Sequence, residues 1–406
     1  MSIQFVEGGV CAPAGFTAGG VHCGIRKNRK KRDLALIFAE KTCSAAAVYT
    51  QNLVKGAPLL VTREHLANGR ARAIICNSGN ANTCNADGEY KAKMMCDIAA
   101  EVLSIPTDDV LVASTGVIGQ VLPIAPIADA AEALKASLGD HSIEAAEAIM
   151  TTDTIPKNLA VEFELGGKTC RIGAIAKGSG MIHPNMATML CFVTTDAAIA
   201  PELLQQALKS VADDTFNMIS VDGDTSTNDM VAILASGLAG NVEITSPDGE
   251  DYSRFTAALF ELMREISKLL AGDGEGATRL IECNVNGAAT TADAKILAKS
   301  VICSSLTKAA IFGADANWGR VLCALGYAGA KLDVNKVGVE FRSAAGSIIV
   351  CAGGAGVDFD EDKAKQILLE KEIAIDVTLG DGAGAATAWG CDLTYDYVKI
   401  NGDYRT

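Results

Sequence analysis

Several features of membrane, secreted and nucleic-acid-binding proteins are missing from this sequence. Its 406 residues contain no run of about 18 apolar residues, the length that spans a bilayer. The first residues show no basic segment followed by an apolar one, so we expect no secretory signal. Lys and Arg number 35 against 49 Asp and Glu, whereas nucleic-acid binding depends on concentrated basic charge. We therefore expect neither a membrane nor nucleic acid as a partner.

Paired cysteines and metal-binding histidine patterns are missing too. The 13 cysteines form no Cys-x-x-Cys pair and lie mostly in apolar runs, where a free cysteine acts as a small hydrophobe. This usage predicts a reducing, cytoplasmic location. The four histidines have no ligand spacing, so the sequence predicts no metal site. One basic run, from Arg26 to Arg32, interrupts the acidic trend and is typical of a solvated loop.

What is present predicts a mixed α/β protein. Hydrophobic residues make up 49% of a chain long enough for two or three domains. Alternating residues on both sides of Gly166-Gly167 predict a β-hairpin, and residues 251–276 and 291–313 each predict a helix. Because hairpins recur, we expect a layered sandwich of helices and mixed sheets with much antiparallel pairing.

The segment "KGSGMIHPNMATML", residues 177–190, is the part of the sequence whose role is hardest to explain from its residue types. It is no phosphate-binding P-loop, because Lys177 precedes the glycines instead of following them. Its last part places Thr188 at the head of an apolar strand. Such a threonine is usually structural, but cleavage after Ala187 would free an α-amine of pKa ~7.7–8.0 beside its hydroxyl. An N-terminal threonine of this kind acts as a nucleophile with its own base.

The same segment resembles the self-processing segment of the ornithine acetyltransferase family, the glutamate N-acetyltransferases of the cyclic arginine pathway. The resemblance continues in order through nearly the whole chain, in "YTQNLVKGAPLLVTREHL", "NSGNAN", "ASTGVIG", "TTDTIPK", "VDGDTSTND", "GDGEGATRLIE", "ANWGRV" and "YVKINGDYRT". One departure is Ala316, where proline is expected in many members.

The resemblance implies which residues do the chemistry. It makes Thr188 the nucleophile, released by self-cleavage after Ala187, and makes Thr115 and Gly116 the oxyanion hole. It also implies a set of substrate contacts: Thr154, Lys177, Thr188, Glu275, Asn401 and Thr406. Lys177 suits a carboxylate and Glu275 the ammonium group of an amino acid such as ornithine.

The resemblance further implies a reaction: the acetyl group of N2-acetylornithine passes through an acetyl-Thr188 intermediate to glutamate, in arginine biosynthesis. No metal or cofactor is implied. Some members also take acetyl-CoA as a co-substrate, and no residue of this sequence decides that point. Two alternatives stay open, a self-cleaving aminopeptidase or amidase and a non-catalytic amino-acid-binding protein.

The implied architecture is a self-cleaving aminopeptidase-like fold with a smaller C-terminal α/β domain. Cleavage would give an α chain, residues 1–187, and a β chain, residues 188–406. We expect a core domain over about 1–240, a connecting domain over about 241–285 and a C-terminal domain over about 286–406. The implied assembly is an α2β2 heterotetramer.

Overall fold

The computed structural model describes residues 3–28, 30–183 and 189–402. Its strands are β1 Gln4–Val6, β2 Phe16–Val21, β3 Leu34–Tyr49, β4 Arg70–Asn77, β5 Val110–Ser114, β6 Lys157–Leu165, β7 Lys168–Lys177, β8 Leu190–Thr195, β9 Ile219–Ser220, β10 Met230–Ala235, β11 Leu280–Ala288, β12 Gly338–Ser343, β13 Gly346–Ala352, β14 Ala355–Gly356, β15 Glu372–Thr378 and β16 Gly384–Cys391. Its α-helices are α1 Ala57–His65, α2 Gly88–Leu103, α3 Ala125–Asp129, α4 Ala131–Ala136, α5 Ser142–Ile149, α6 Pro201–Asp214, α7 Glu250–Gly272, α8 Thr291–Cys303, α9 Ser305–Phe312, α10 Trp318–Gly326, α11 Glu361–Leu368 and α12 Tyr395–Gly402.

Two mixed sheets organise these elements. Within the described ranges, the first sheet has nine strands in the order β1-β6-β7-β8-β10-β3-β4-β5, with β2 also paired to β3. The second has seven strands in the order β14-β13-β12-β15-β11-β16-β9. Most neighbours are antiparallel, whereas β8 and β10 run parallel at the centre of the first sheet. The predicted mixed α/β class is confirmed.

The central strands of the first sheet are buried on both faces. Every residue of β8 and β10 is buried, and successive residues belong to different cores. Cys191 and Val193 of β8 pack into the core beneath α6 and α7, whereas Leu190 and Phe192 face the core beneath α5. This double burial explains why the sequence after Thr188 is continuously apolar instead of alternating.

Helix α7 joins the two sheets. Its apolar face packs against β6 and β7 of the first sheet and against β11 and β16 of the second. Phe255 of α7 meets Phe163 of β6 with ring centroids 6.3 Å apart. The helix ends at Gly272, and the carboxylate of the next residue, Asp273, pairs with Lys157, the first residue of β6.

The predicted hairpin and the first predicted helix are confirmed, whereas the second predicted helix is wrong. The hairpin is confirmed, since β6 and β7 pair through Gly166 and Gly167, whose positive φ angles of 54° and 75° suit a tight turn. The long helix is confirmed as α7. The single helix expected over 291–313 is wrong, because the hydroxyl of Ser304 accepts the N–H of Thr307 and starts a new helix there. None of the described helices is long and apolar enough to cross a membrane.

Candidate active site

Five residues predicted from the sequence line one cavity with a volume of about 320 Å³. They come from distant parts of the chain and are Thr115, Gly116, Lys177, Glu275 and Asn401. The rest of the lining consists of Ala81, Val117, Ile118, Thr151, Thr152, Gly180, Met181, Ser226, Thr227 and Asn228. A cavity of this size suits a small amino acid derivative.

The predicted oxyanion donors, Thr115 and Gly116, directly follow strand β5 and line the cavity. Thr115 follows the last residue of β5, and its backbone N–H is bonded to the carbonyl of Asn77 at 2.9 Å. Gly116 has a φ of +127°, and a Cβ there would lie 2.7 Å from the carbonyl carbon of Gly79. Glycine is therefore required at this turn, because any side chain would clash with the neighbouring backbone.

Buried amides fix the loops around these donors. The side-chain oxygen of Asn77 accepts the N–H groups of Gly79 at 3.2 Å and Asn80 at 3.0 Å. The amide of Asn228 donates to the carbonyls of Ala81 at 2.6 Å and Ser114 at 3.0 Å. The bonds of Asn77 account for the first asparagine of the motif "NSGNAN". Those of Asn228 fasten the same motif, at Ala81, to the end of β5.

Lys177 places a positive charge beside the oxyanion donors. It is the last residue of β7 and is only 8% exposed, and its ammonium group donates to the hydroxyl oxygen of Thr115 at 3.4 Å. A hydroxyl that accepts a bond can still donate its own proton. The Thr115 hydroxyl therefore keeps a donor for an oxygen in the cavity, with the Lys177 charge close behind it.

Asp229 is a buried acid that the sequence analysis did not single out. It is 3% exposed, and its Oδ2 has no hydrogen-bond partner among the described residues. Burial raises the pKa of its carboxyl well above the ordinary value, against the opposing effects of the Ser226 hydroxyl and Lys177. It lines a small cleft with Thr115, Lys177 and Met189. The available signal was an acid directly before an apolar strand, at the end of "VDGDTSTND".

Glu275 supplies the negative charge on another side of the cavity. Its carboxylate is 7% exposed and accepts the amide N–H of Asn401, on α12, at 2.7 Å. Its backbone N–H donates to the carbonyl of Ser179 at 2.9 Å. A Cβ on Gly180 would collide with the Glu275 carboxylate. Gly180 of "KGSG" thus lets the chain pass close to this acid.

A buried network of ion pairs connects the cationic side of the cavity, at Lys177, with its anionic side, at Glu275. Lys157 is 0% exposed, and its ammonium lies 2.6 Å from Asp153 Oδ1 and 2.5 Å from Asp273 Oδ2. Asp153 also accepts the backbone N–H of Gly178 at 2.7 Å. Burial alone would raise the pKa of Asp153, but Lys157 and Lys177 outweigh it and lower the pKa to about 2.

Thr154 does not line the cavity, unlike the other substrate contacts that the structure describes. Its hydroxyl and backbone N–H both donate to the carboxylate of Asp273, the backbone at 3.1 Å to Oδ2. Its neighbours Thr151 and Thr152 line the cavity instead.

Three predicted site residues, Ala187, Thr188 and Thr406, lie outside the described residues. The residue that follows Thr188 in the chain is described: the carbonyl of Met189 accepts the N–H of Met230 at 3.0 Å. Met189 lines the small cleft that also contains Thr115, Lys177 and Asp229.

His183, the histidine of the segment 177–190, contacts a hydroxyl and a thiol of neighbouring elements. The Nδ1 of His183 lies 3.1 Å from the Ser220 hydroxyl and 3.5 Å from the thiol of Cys303. Burial lowers the pKa of His183 to about 4. In the ranges that the structure describes, no group of His, Cys, Asp and Glu side chains could hold a metal ion.

Comparison with known proteins gives consistent matches. The model of the ArgJ family matches residues 17–406. The arginine biosynthesis bifunctional protein ArgJ of Symbiobacterium thermophilum is 52% identical over 407 residues, and the match covers 100% of both chains.

Two solved structures are similar to parts of this chain. The crystal structure of the arginine biosynthesis bifunctional protein argJ from Bacillus halodurans has 46% identity and a TM-score of 0.50, covering 52% of this chain and 98% of that chain. The ornithine acetyltransferase of Mycobacterium tuberculosis complexed with ornithine has 37% identity and a TM-score of 0.43, covering 46% of this chain and 100% of that chain. With a family model and a relative that both extend over nearly its whole length, this chain belongs to the ArgJ family.

Proposed function

We propose that this protein transfers the acetyl group of N2-acetylornithine to glutamate in arginine biosynthesis, through an acetyl ester on Thr188. The observation that carries the proposal is the cavity itself. It combines a buried cation, Lys177, a buried anion, Glu275, and the donors at Thr115 and Gly116. The family's place in arginine biosynthesis supports the same reaction.

The charges of the cavity suit this donor. N2-acetylornithine carries one α-carboxylate and one side-chain ammonium, and its acetylated nitrogen is neutral. Lys177 would bind the carboxylate and Glu275 the ammonium, since both charges are shielded from water and strengthen such contacts. The acetyl carbonyl between them would lie near Thr115 and Gly116.

The nucleophile would arise by self-cleavage. The Thr188 hydroxyl attacks the carbonyl of Ala187, the acyl group shifts from nitrogen to oxygen, and water hydrolyses the ester to leave an N-terminal Thr188. The new α-amine then serves as general base for its own hydroxyl. Asp229 supports this role, because one of its side-chain oxygens has no hydrogen-bond partner among the described residues. It borders the same small cleft as Met189 and could accept a hydrogen bond from the amine.

Two half-reactions would follow. The Thr188 hydroxyl attacks the acetyl carbonyl, Thr115 and Gly116 stabilise the oxyanion, and ornithine leaves as the amine takes up the proton and returns it to the leaving nitrogen. The α-amine of glutamate then attacks the ester, releasing N-acetylglutamate and the Thr188 hydroxyl. Removing one oxyanion donor typically raises the activation free energy by ~2.7–4 kcal/mol.

The length of the Bacillus halodurans chain agrees with cleavage in the family. Its match covers 52% of 406 residues, or about 210, at 98% of that chain's own length. A cut after Ala187 leaves 187 residues before it and 219 after it. The solved chain therefore has close to the length of the second product.

The proposal also includes the assembly and the location of the enzyme, an α2β2 heterotetramer in the cytoplasm.

We expect the purified protein to run as two fragments on a denaturing gel, because the Ala187-Thr188 bond cleaves itself. N-terminal sequencing of the larger fragment should read Thr-Met-Leu-Cys-Phe. Thr188→Ala should stay intact and inactive, since it lacks the attacking hydroxyl, and Thr188→Ser should cleave more slowly. An intact wild-type chain with full activity would refute self-processing.

Release of ornithine from N2-acetylornithine should depend on glutamate. With glutamate present, ornithine and N-acetylglutamate should form in equal amounts, because the acyl ester is discharged by an amine instead of water. Chromatography of both products over time measures this ratio. Ornithine released at the same rate without glutamate, with acetate as the second product, would show an amidase.

Glu275→Gln should raise KM for N2-acetylornithine about tenfold or more, since a charge-assisted bond to a buried carboxylate contributes about 1.5–3 kcal/mol. KM for glutamate should change less, because glutamate has no side-chain ammonium. Initial rates with each substrate varied give both constants. The control is Glu243→Gln, an exposed glutamate that does not line the cavity. An unchanged KM for the donor would remove Glu275 from substrate binding.

A further inference from the structure

His183 and Met189 are the described residues on either side of the proposed cleavage point. The carbonyl of His183 accepts the hydroxyl of Thr225 at 2.8 Å, and the carbonyl of Met189 accepts the N–H of Met230 at 3.0 Å. Both partners belong to one continuous segment, residues 220–230. That segment therefore holds both ends of the stretch that contains the proposed scissile bond.

Asp222 makes the closest contacts with the chain that leads to the cleavage point. Its Oδ2 accepts the N–H of Met181 at 2.6 Å, and its Oδ1 accepts the N–H of Ile182 at 2.9 Å. The N–H of Val221 donates to the carbonyl of Ile182 at 2.7 Å. Hydrogen bonds to a carboxylate are stronger than those between neutral groups. Two successive residues of the chain are therefore fixed by one side chain.

Met181 has a backbone conformation that needs such support. Its φ angle is +56°, in the left-handed region, which is unfavourable for a residue with a side chain. Strained conformations of this kind persist only where the surrounding structure holds them. Without the Asp222 carboxylate, the backbone at Met181 could relax, and the direction in which the chain runs toward His183 would change.

The loop that carries Asp222 is itself fixed from the second sheet. It follows directly on β9, whose Ser220 pairs with Gly390 of β16. The buried ammonium group of Lys308 donates to the carbonyl of Val221 at 2.7 Å. The loop is therefore a firm support for the chain that it binds.

We propose that Asp222 is a positioning residue for self-cleavage. By fixing Met181 and Ile182 it directs the chain so that the Thr188 hydroxyl reaches the carbonyl carbon of Ala187. The new carbon–oxygen bond forms, the peptide carbon–nitrogen bond breaks, and the hydroxyl proton ends on the freed amine, so the carboxylate exchanges no proton. An intramolecular attack is fast only in a near-attack geometry, and a displacement of about 1 Å can cost about 100-fold in rate. The inference rests on the proposed function, because it assumes that the chain cleaves itself.

The test follows cleavage of the intact precursor in a Thr188→Ser background, where the reaction should be slow enough for purification. Asp222→Ala should lower the first-order rate constant about 10- to 100-fold, because both acceptor oxygens are lost. Asp222→Asn keeps one acceptor oxygen and should give an intermediate rate. Denaturing gels measure the loss of intact chain, about 20 °C below the melting midpoint of each precursor. Nearly all chains are folded there, so a change in global stability alone would leave the rate unchanged.

Hydroxylamine separates the acyl shift from the hydrolysis that follows it. It cleaves the ester as soon as the ester forms, leaving a hydroxamate on Ala187. If Asp222 positions the attack, Asp222→Ala should remain slow in hydroxylamine by the same factor relative to its background. Recovery of the background rate in hydroxylamine would overturn the inference, since the acyl shift would then not depend on Asp222.

Two matched controls should cleave at the background rate. Asp224→Asn removes an exposed charge from the same loop. Tyr397→Phe removes a hydroxyl that also bonds the Asp222 carboxylate, but leaves the bonds to Met181 and Ile182. A rate for Asp222→Ala equal to the controls, or equal slowing in Tyr397→Phe, would overturn the inference alone. A wild-type chain that never cleaves would refute self-processing and the inference with it.

Discussion

The buried ammonium of Lys157 holds the two sides of the candidate active site together. Its carboxylate partners come from different parts of the chain, Asp153 before β6 and Asp273 after α7. Asp153 holds the N–H of Gly178, directly after Lys177, and the hydroxyl of Ser179 donates to the carbonyl of Asp273 at 2.7 Å. The cationic and anionic ends of the cavity therefore depend on one ion network.

Such a network is costly to bury and costly to break. Removing one member of a buried ion pair typically destabilises a protein by about 3–5 kcal/mol, because the remaining charge is left without compensation. The charges of Lys157, Asp153 and Asp273 also restrict how β6 and α7 can sit against each other. We interpret the network as fixing the position of Lys177 relative to Glu275, which the proposed binding of a charged amino acid derivative requires.

The family resemblance pointed to residues that line one cavity, but no sequence pattern pointed to the contacts that support this cavity. Thr115, Gly116, Lys177, Glu275 and Asn401 were expected from the family resemblance, and the structure brings all five to one cavity. The pairing of Lys157 with Asp273 joins residues 116 positions apart, which no local pattern reveals. Thr154 was expected at the substrate, but its hydroxyl already has a carboxylate partner.

The predicted hairpin and helices also divide into those that a local sequence pattern determines and those that tertiary contacts determine. The hairpin at Gly166-Gly167 was predictable because a glycine pair between alternating strands determines the turn locally. The break at Ser304 was missed, since a serine inside an apolar helical pattern becomes a cap only when the chain bends to pack against its neighbours. The basic run was expected to be a solvated loop, and Lys27, Lys30 and Lys31 are exposed. Arg26 differs, because its guanidinium donates to the carbonyl of Ser78 at 2.9 Å and to the carbonyl of Met150. These are tertiary contacts, which the run alone does not reveal.

The central claim is that Thr188 carries the acetyl group between donor and acceptor. The most direct measurement is intact mass spectrometry of the cleaved protein after rapid mixing with N2-acetylornithine in the absence of glutamate. The account predicts that part of the fragment beginning at Thr188 is heavier by one acetyl group and returns to its original mass when glutamate is added. A fragment of unchanged mass at every quench time, in a preparation that transfers acetyl groups at full rate, would contradict it.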